Sequence, residues 1–342
     1  MAKTSKRLSS VKPSGVRELF DLASGRPDVI NLTLGEPDAV TPENVREAAR
    51  RALEEGFTHY TPNAGLPELR GAIAERYARD YGARVDPEEV LVTQGGTQAI
   101  LEALAAVTDE GDSVLVPTPA FVGYAGAASL LGLRTIEVET RADEGFVPSL
   151  ESLRAAADDR TRAIIVNSPG NPTGAVYGRR ALEEIISFAE ERDLWIISDE
   201  VYEKFVYGAE FVSFSTFDED VRRRTIIVNS FSKTYAMTGW RLGYLVAPRE
   251  VVDAAVRFQM YDAVCPSSIA QRAALEALRG PQDFISGYVA EVGRRLDYAY
   301  SRLSSMKNVS VFKPRGAFYI FPRIDVGMGS AELARALLEE EG

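Results

Sequence analysis

The sequence predicts an α/β fold, a mostly parallel sheet covered by helices with a smaller α+β region beside it. Three observations lead there. Short apolar runs, Val90–Thr93, Val114–Val116, Ala163–Val166, Leu194–Ser198 and Thr225–Val228, alternate with helical patterns near 98–107, 179–192 and 251–260. The runs are apolar on successive residues, as strands buried on both faces are. Several end in Gly, Asn, Ser or Asp, at the strand ends where α/β sheets bind ligands.

In chain order, a helical piece around Val16 to Ala23 precedes a short strand, Val29 to Leu34, and a loop, Gly35-Glu36-Pro37-Asp38. Thr41-Pro42-Glu43 has the form of an N-cap with proline at the first helical position, opening a helix to about Glu55. A polar loop, His59 to Gly65, leads to a helix over Pro67 to Tyr81. After strand 90–93, Gln94-Gly95-Gly96-Thr97 turns into the helix Gln98 to Val107. Past the last sheet strand, a long amphipathic helix, about Gln282 to Ser305, leaves the domain. Strands Val309–Phe312 and Ala317–Phe321 and a helix Ala331–Glu341 follow. The division is an N-terminal arm with part of the small domain (1–40), a large domain (41–281), and a small C-terminal domain (282–342) that reads as incomplete. There are no internal repeats or low-complexity segments.

The 342 residues suffice for one large domain and a smaller one, and 45% hydrophobic residues is ordinary for a globular chain. A formal net charge of −11 argues against nucleic acid or an anionic membrane as partner. The basic piece with Lys3, Lys6 and Arg7 reads as a disordered tail. One cysteine, Cys265, excludes an intrachain disulfide, fits a reducing compartment and reads as a small buried hydrophobe. No apolar run approaches a membrane span and no signal core opens the chain, so the expected location is cytoplasmic. No metal is called for.

The residues that carry chemistry cluster at strand ends. Of seven lysines (Lys3, Lys6, Lys12, Lys204, Lys233, Lys307 and Lys313), only Lys233 joins a buried strand to a group of hydroxyls, in Asn229-Ser230-Phe231-Ser232-Lys233-Thr234-Tyr235. Lys204 reads as a surface-turn residue. A lysine amine can form a Schiff base with a carbonyl, pyridoxal phosphate being the usual partner; the alternative is a solvated strand-end lysine. Gly95, Gly96 and Thr97 stand between a strand and a helix, where free amides and the helix dipole favour an anion, or where there is only a tight turn. Asn167-Ser168-Pro169-Gly170-Asn171-Pro172-Thr173-Gly174 fixes a loop that projects Asn171, whose amide can donate to a phenolate-type oxygen. Asp199 ends another buried strand, where a carboxylate is costly unless paired, and a protonated pyridine nitrogen is one such partner; a capping role is the alternative. Tyr202 shares its face if the chain turns helical there, or else packs in the core. Arg241, eight residues beyond Lys233, suits bidentate phosphate binding, with Ser230 adding a hydroxyl.

With these motifs in this order, from Gly35-Glu36-Pro37 to Gly316-Ala317-Phe318-Tyr319, the chain resembles the class I/II, fold-type I aminotransferases that depend on pyridoxal 5'-phosphate, specifically the aspartate and aromatic-amino-acid group. The resemblance implies that Lys233 forms the internal aldimine and shuttles the proton, and that Asp199 pairs with the pyridinium nitrogen. It implies that Asn171 and Tyr202 bond the ring's phenolic oxygen and that Phe121 stacks on the ring. Gly95, Gly96, Thr97, Ser230 and Arg241 would hold the phosphate. Gly35, with Phe121 and Asn171, would border the substrate. Tyr60 would reach the phosphate of a neighbouring subunit, which makes the expected assembly a homodimer. An L-amino acid and a 2-oxo acid such as 2-oxoglutarate are the implied substrates. Pro117-Thr118-Pro119-Ala120-Phe121 and Phe258 to Pro266 look like the aromatic branch, Phe121 replacing the tryptophan usual in aspartate-specific relatives. Aspartate or alanine is the alternative.

Other readings are a different pyridoxal-phosphate reaction on the same fold, such as a β-lyase or a cyclopropane-forming synthase, and a transcription regulator with an aminotransferase-like effector domain. The regulator needs a basic winged helix ahead of the fold, and the stretch before Gly35 is too short for one. A last expectation concerns the substrate carboxylate, which calls for a bidentate arginine. Arg241 is committed to the phosphate, and nothing marks Arg315 or Arg323. In the family that arginine lies further on, so the expectation is a longer natural chain. The small domain should then be open, with an exposed edge near Phe318 and Ile320 and no arginine facing the cofactor from its C-terminal side.

Overall fold

Among the residues that the computed structural model describes (5, 8, 11, 15–24, 26 and 28–341), seven strands form one sheet. They are β1 (Val90–Thr93), β2 (Ser113–Thr118), β3 (Arg134–Glu139), β4 (Thr161–Asn167), β5 (Trp195–Asp199), β6 (Thr225–Ser230) and β7 (Gly243–Val246). The order across the sheet is β1-β7-β6-β5-β4-β2-β3, and only the pairings of β7, with β1 and with β6, are antiparallel. Lys3, Lys6, Arg7 and Lys12 lie outside the described residues.

Successive side chains of each strand enter opposite cores. On one face Leu91, Val114, Val116, Ile165, Ile197, Ile226 and Leu245 meet helices α4 (Gly96–Val107), α5 (Gly123–Leu130) and α10 (Arg249–Asp262). On the other, Val92, Leu115, Ile164, Val166, Ile196 and Ile227 meet α3 (Pro67–Tyr81), α7 (Arg179–Glu191) and α11 (Ser268–Arg279). Each fully buried Val, Leu or Ile contributes about 1.5–3 kcal/mol, which explains the continuous apolar runs read from the sequence.

The remaining helices are α1 (Gly15–Ala23), α2 (Glu43–Glu54), α6 (Leu150–Ala156), the single turns α8 (Glu219–Arg222) and α9 (Phe231–Thr234), α12 (Asp283–Ser304) and α13 (Ser330–Glu340). A two-stranded antiparallel sheet, β8 (Val309–Val311) with β9 (Pro322–Ile324), follows α12.

Several expectations need correction. Residues 29–34 form no strand. Thr41 does not cap α2: Pro42 is the N-cap residue, and the Thr41 hydroxyl donates to the Ala236 carbonyl at 2.6 Å and accepts the Trp240 indole N–H at 3.0 Å. The stretch 317–321 is not a strand, and β8 pairs with 322–324 instead. Ala317 has φ 56°, which breaks extended structure at the start of that stretch. Phe318 and Ile320 are half-buried against Tyr202 and Phe205, not on an exposed edge. Exposure falls on Phe321 and Leu337, beside an open groove lined by Phe312, Pro322, Met328 and Leu333. Cys265 is half-buried rather than a core residue. Lys204 is also half-buried, paired with Asp80 at 2.8 Å.

Candidate active site

The carboxyl ends of β4, β5 and β6 lie side by side, and each carries a polar residue. Asn167 is in register with Asp199, and Asp199 with Val228, two residues before Ser230. The Asn167 amide donates to the Asp199 carbonyl at 3.0 Å, and its oxygen accepts the Asn171 N–H at 2.7 Å. The strand end therefore sets the loop that presents Asn171.

The antiparallel strand β7 closes the other side. Gly243 pairs with both Thr93 and Ser230, bringing the start of α4 against the end of β6. A Cβ at Gly243 would lie 2.7 Å from the Gly95 carbonyl carbon and 2.7 Å from the Gly96 nitrogen. Only glycine allows that approach. A Cβ at Gly95 (φ 85°) would meet the Arg241 guanidinium at 2.7 Å. The helix N-terminus, Arg241 and Ser230 thus lie together, the grouping an anion site uses. The Ser230 hydroxyl accepts the Ser232 N–H at 3.0 Å, which caps α9 and fixes the turn that carries Lys233.

Lys233 Nζ donates to the Gly35 carbonyl and stands 5.9 Å from the centre of the Tyr202 ring. Burial brings its ammonium down to about 8, aided by Arg241 and opposed by Glu36 and Asp199. Asp199 is buried, and burial pushes its carboxyl up to about 6, against the pull of the Tyr124 hydroxyl, the Val201 amide and Lys233. Tyr124, itself fully buried, donates to Asp199 Oδ2 at 2.7 Å. It also meets the Phe121 ring edge-on, 5.5 Å between centres. The turn after Asp199 is anchored twice. Glu200 accepts from Ser198 Oγ, Ser213 Oγ and the Phe214 N–H, and Glu203 accepts from Arg76 and Tyr81. Between those anchors sits Tyr202, whose hydroxyl is 2.5 Å from that of Tyr319.

The structure thus brings together Gly35, Gly95, Gly96, Asn171, Asp199, Tyr202, Ser230, Lys233 and Arg241. Phe121 joins them through Tyr124. Thr97 is exposed in the first turn of α4. Tyr60 is 86% exposed on a loop. Two members were missed in the sequence: Tyr124, three residues after Phe121, and Tyr319, inside a quoted motif but given no role. Each reads as an ordinary core aromatic until its hydroxyl partner is known.

This donor set fits pyridoxal phosphate: an anion cradle at a helix N-terminus, a buried carboxylate for a ring nitrogen, two donors for a phenolic oxygen and an amine of lowered basicity.

Comparison with known proteins agrees. The aminotransferase class I and II family is matched over residues 27–342. An aspartate aminotransferase of Pyrococcus abyssi is 46% identical over 341 residues, covering 98% of this chain and 87% of that protein. An aromatic-amino-acid aminotransferase 2 of Thermococcus litoralis shows the same identity and coverage. The crystal structure of an aromatic aminotransferase from Pyrococcus horikoshii superposes with a TM-score of 0.88 at 45% identity, over 95% of this chain and 87% of that one. An aspartate aminotransferase from Thermus thermophilus with maleate does so with a TM-score of 0.89 at 41% identity, over 94% of this chain and 85% of that one. A fold and a strand-end site reached from the residues upward, and relatives of this closeness over nearly the whole chain, give one answer: the chain belongs to the aminotransferase class I and II family, whose members work with pyridoxal phosphate.

Proposed function

We propose that this aminotransferase moves the amino group of an aromatic L-amino acid to 2-oxoglutarate. The single observation that carries the site reading is the convergence on Lys233 of Asp199, Tyr202, Asn171 and the Arg241 cradle. The aromatic preference rests on Phe121, which takes the place of the tryptophan usual in aspartate-specific relatives, with Tyr124 edge-on beneath it. Aspartate and alanine are the competing substrates, since relatives named for aspartate and for aromatic amino acids are equally similar to this chain. Measuring kcat/KM for Phe, Tyr, Asp and Ala decides the point. A preference for Phe or Tyr of about tenfold or more is expected; a large preference for Asp rejects the choice.

When bound, pyridoxal phosphate supplies an electron sink that makes the substrate's α-proton acidic. Lys233 carries the cofactor through Nζ. Its amine, placed beside Tyr202 and Gly35, would take up and return the substrate's α-proton. An ammonium brought down to about 8 suits that work near neutral pH. Asp199 holds positive charge on the ring nitrogen. Asn171 and Tyr202 orient the phenolic oxygen, and Phe121 stacks on the ring. Gly95, Gly96, Thr97, Ser230 and Arg241 hold the phosphate. Gly35 and Asn171 border the substrate carboxylate. Because the amino group is parked between two half-reactions, ping-pong kinetics are expected.

Residues 41–281 are the large, cofactor-carrying domain and the described residues from 282 onward the small C-terminal one, with the described residues before 41 an arm that supplies part of it. The working unit is a homodimer in which exposed Tyr60 reaches the neighbouring phosphate. Among the described residues no helix is long and apolar enough to cross a membrane, and a cytoplasmic enzyme is the reading.

A further inference from the structure

Residues 315–319 form a strap tied to both walls of the site. The Arg315 and Gly316 N–H groups both donate to the Gly174 carbonyl, at 2.8 and 2.9 Å, which fixes the strap to the loop carrying Asn171. The Tyr207 N–H donates to the Arg315 carbonyl and the Ala317 N–H to the Phe205 carbonyl, at 2.8 and 2.9 Å, which fixes it to the turn after Tyr202. Gly316 sits so tightly there that a Cβ would approach Pro169 to 2.6 Å. The strap ends by delivering the Tyr319 ring into the site.

The Tyr319 hydroxyl is 2.5 Å from the Tyr202 hydroxyl and accepts from Asn171 Nδ2 at 3.3 Å. The two rings meet edge-on, 5.5 Å between centres. A Cβ at Gly35 would fall 2.0 Å from the Tyr319 oxygen, so the Gly35 loop and this hydroxyl are in direct van der Waals contact. One oxygen therefore touches three residues assigned to cofactor and substrate.

We propose that Tyr319 is a positioning residue that orients the Tyr202 hydroxyl toward the cofactor's phenolic oxygen and strengthens it as a donor. A hydroxyl that accepts one hydrogen bond while donating another donates more strongly, and Tyr319 is placed to donate to Tyr202 while accepting from Asn171. The inference rests on the assignment of Tyr202 to the phenolic oxygen. The charged and titratable groups that face Tyr202 are Lys233, with Nζ 5.9 Å from the ring, Asp199, Tyr124 and Tyr319; Glu36 and Arg241 act on it through Lys233.

The test is a double-mutant cycle on the holoenzyme: wild type, Tyr319→Phe, Tyr202→Phe and the double variant. The readout is the pH midpoint of the bound cofactor's absorption change, with cofactor dissociation constants and thermal midpoints measured alongside. Phenylalanine keeps the ring packing of both residues, so the fold should hold. Losing a donor to the phenolic oxygen destabilises its ionised form, so Tyr202→Phe raises the midpoint. Tyr319→Phe raises it as well, by about half to one pH unit, the size of one hydrogen bond. In the Tyr202→Phe background, Tyr319→Phe shifts nothing further. No shift in the Tyr319→Phe single variant, or the same shift in both backgrounds, overturns the proposal. No shift in Tyr202→Phe overturns the assignment of Tyr202 itself, so the two failures are told apart by that arm alone.

Discussion

At the scale of single residues, the proposed chemistry needs Asp199 charged although it is buried. Desolvation pushes its carboxyl up to about 6, and the Tyr124 hydroxyl at 2.7 Å is the first influence that opposes this. A hydrogen bond to a charged group is worth about 1.5–3 kcal/mol. Tyr124→Phe should therefore weaken cofactor binding about tenfold or more, measured by titrating the apoprotein, with little change in thermal midpoint. Unchanged affinity would show that Asp199 does not need this partner. Lys233 and Asp199 were singled out in the sequence by the motifs around them, because a strand-end lysine or aspartate taken alone has an ordinary reading, and the structure places both at the strand-end site. Tyr124 and Tyr319 were not singled out, because a buried tyrosine is common and its hydroxyl partner comes from a distant part of the chain.

At the scale of elements, five of the seven sheet strands and most of the long helices follow from period and composition, with limits that shift by a residue or two; β3, which Arg134, Glu137 and Glu139 interrupt with charge, the four-residue β7 and the helix α11 were not read from the sequence. The errors have a common cause. Residues 317–321 have strand-like composition, but Ala317 takes a positive φ, the N–H groups of 315 and 316 go to Gly174, and that of 317 goes to Phe205 in a single antiparallel bridge, Gly316 with Val206, that no ladder extends. Thr41 carries the sequence signature of a cap, yet its hydroxyl serves Ala236 across the fold. Tertiary hydrogen bonding overrides the local pattern in both places. The turn 199–203 depends on a tertiary contact too, since Glu203 is held by Arg76 with both side chains buried. Breaking one side of such a pair costs about 3–5 kcal/mol. Arg76→Met should destabilise the protein by that order in urea unfolding, and should lower activity further by loosening Tyr202. Arg76→Met combined with Glu203→Leu should recover part of the stability but not the activity.

At the scale of the whole molecule, one buried acid makes stability depend on pH. Both carboxylate oxygens of Glu102, on α4, lack a hydrogen-bond partner among the described residues, and burial, with Asp262 nearby, pushes the group up to about 9. The folded chain keeps that proton when the unfolded chain, with an ordinary value of 4.5, has lost it. Its contribution is fully present below the unfolded value and is lost as pH rises through the window up to about 9. Glu102→Leu should therefore raise the thermal midpoint at pH 8 more than at pH 5, by an amount equivalent to about 1–3 kcal/mol at the higher pH. Equal effects at both pH values would mean that Glu102 has found a partner.

If the fold presents Lys233 to the cofactor as proposed, chemical trapping will reveal it. The holoenzyme is reduced with borohydride, digested and mapped by mass spectrometry. A phosphopyridoxyl label is expected on Lys233, and its loss in Lys233→Ala. A label on Lys204, which pairs with Asp80, or on Lys313, which pairs with Asp297, would contradict it.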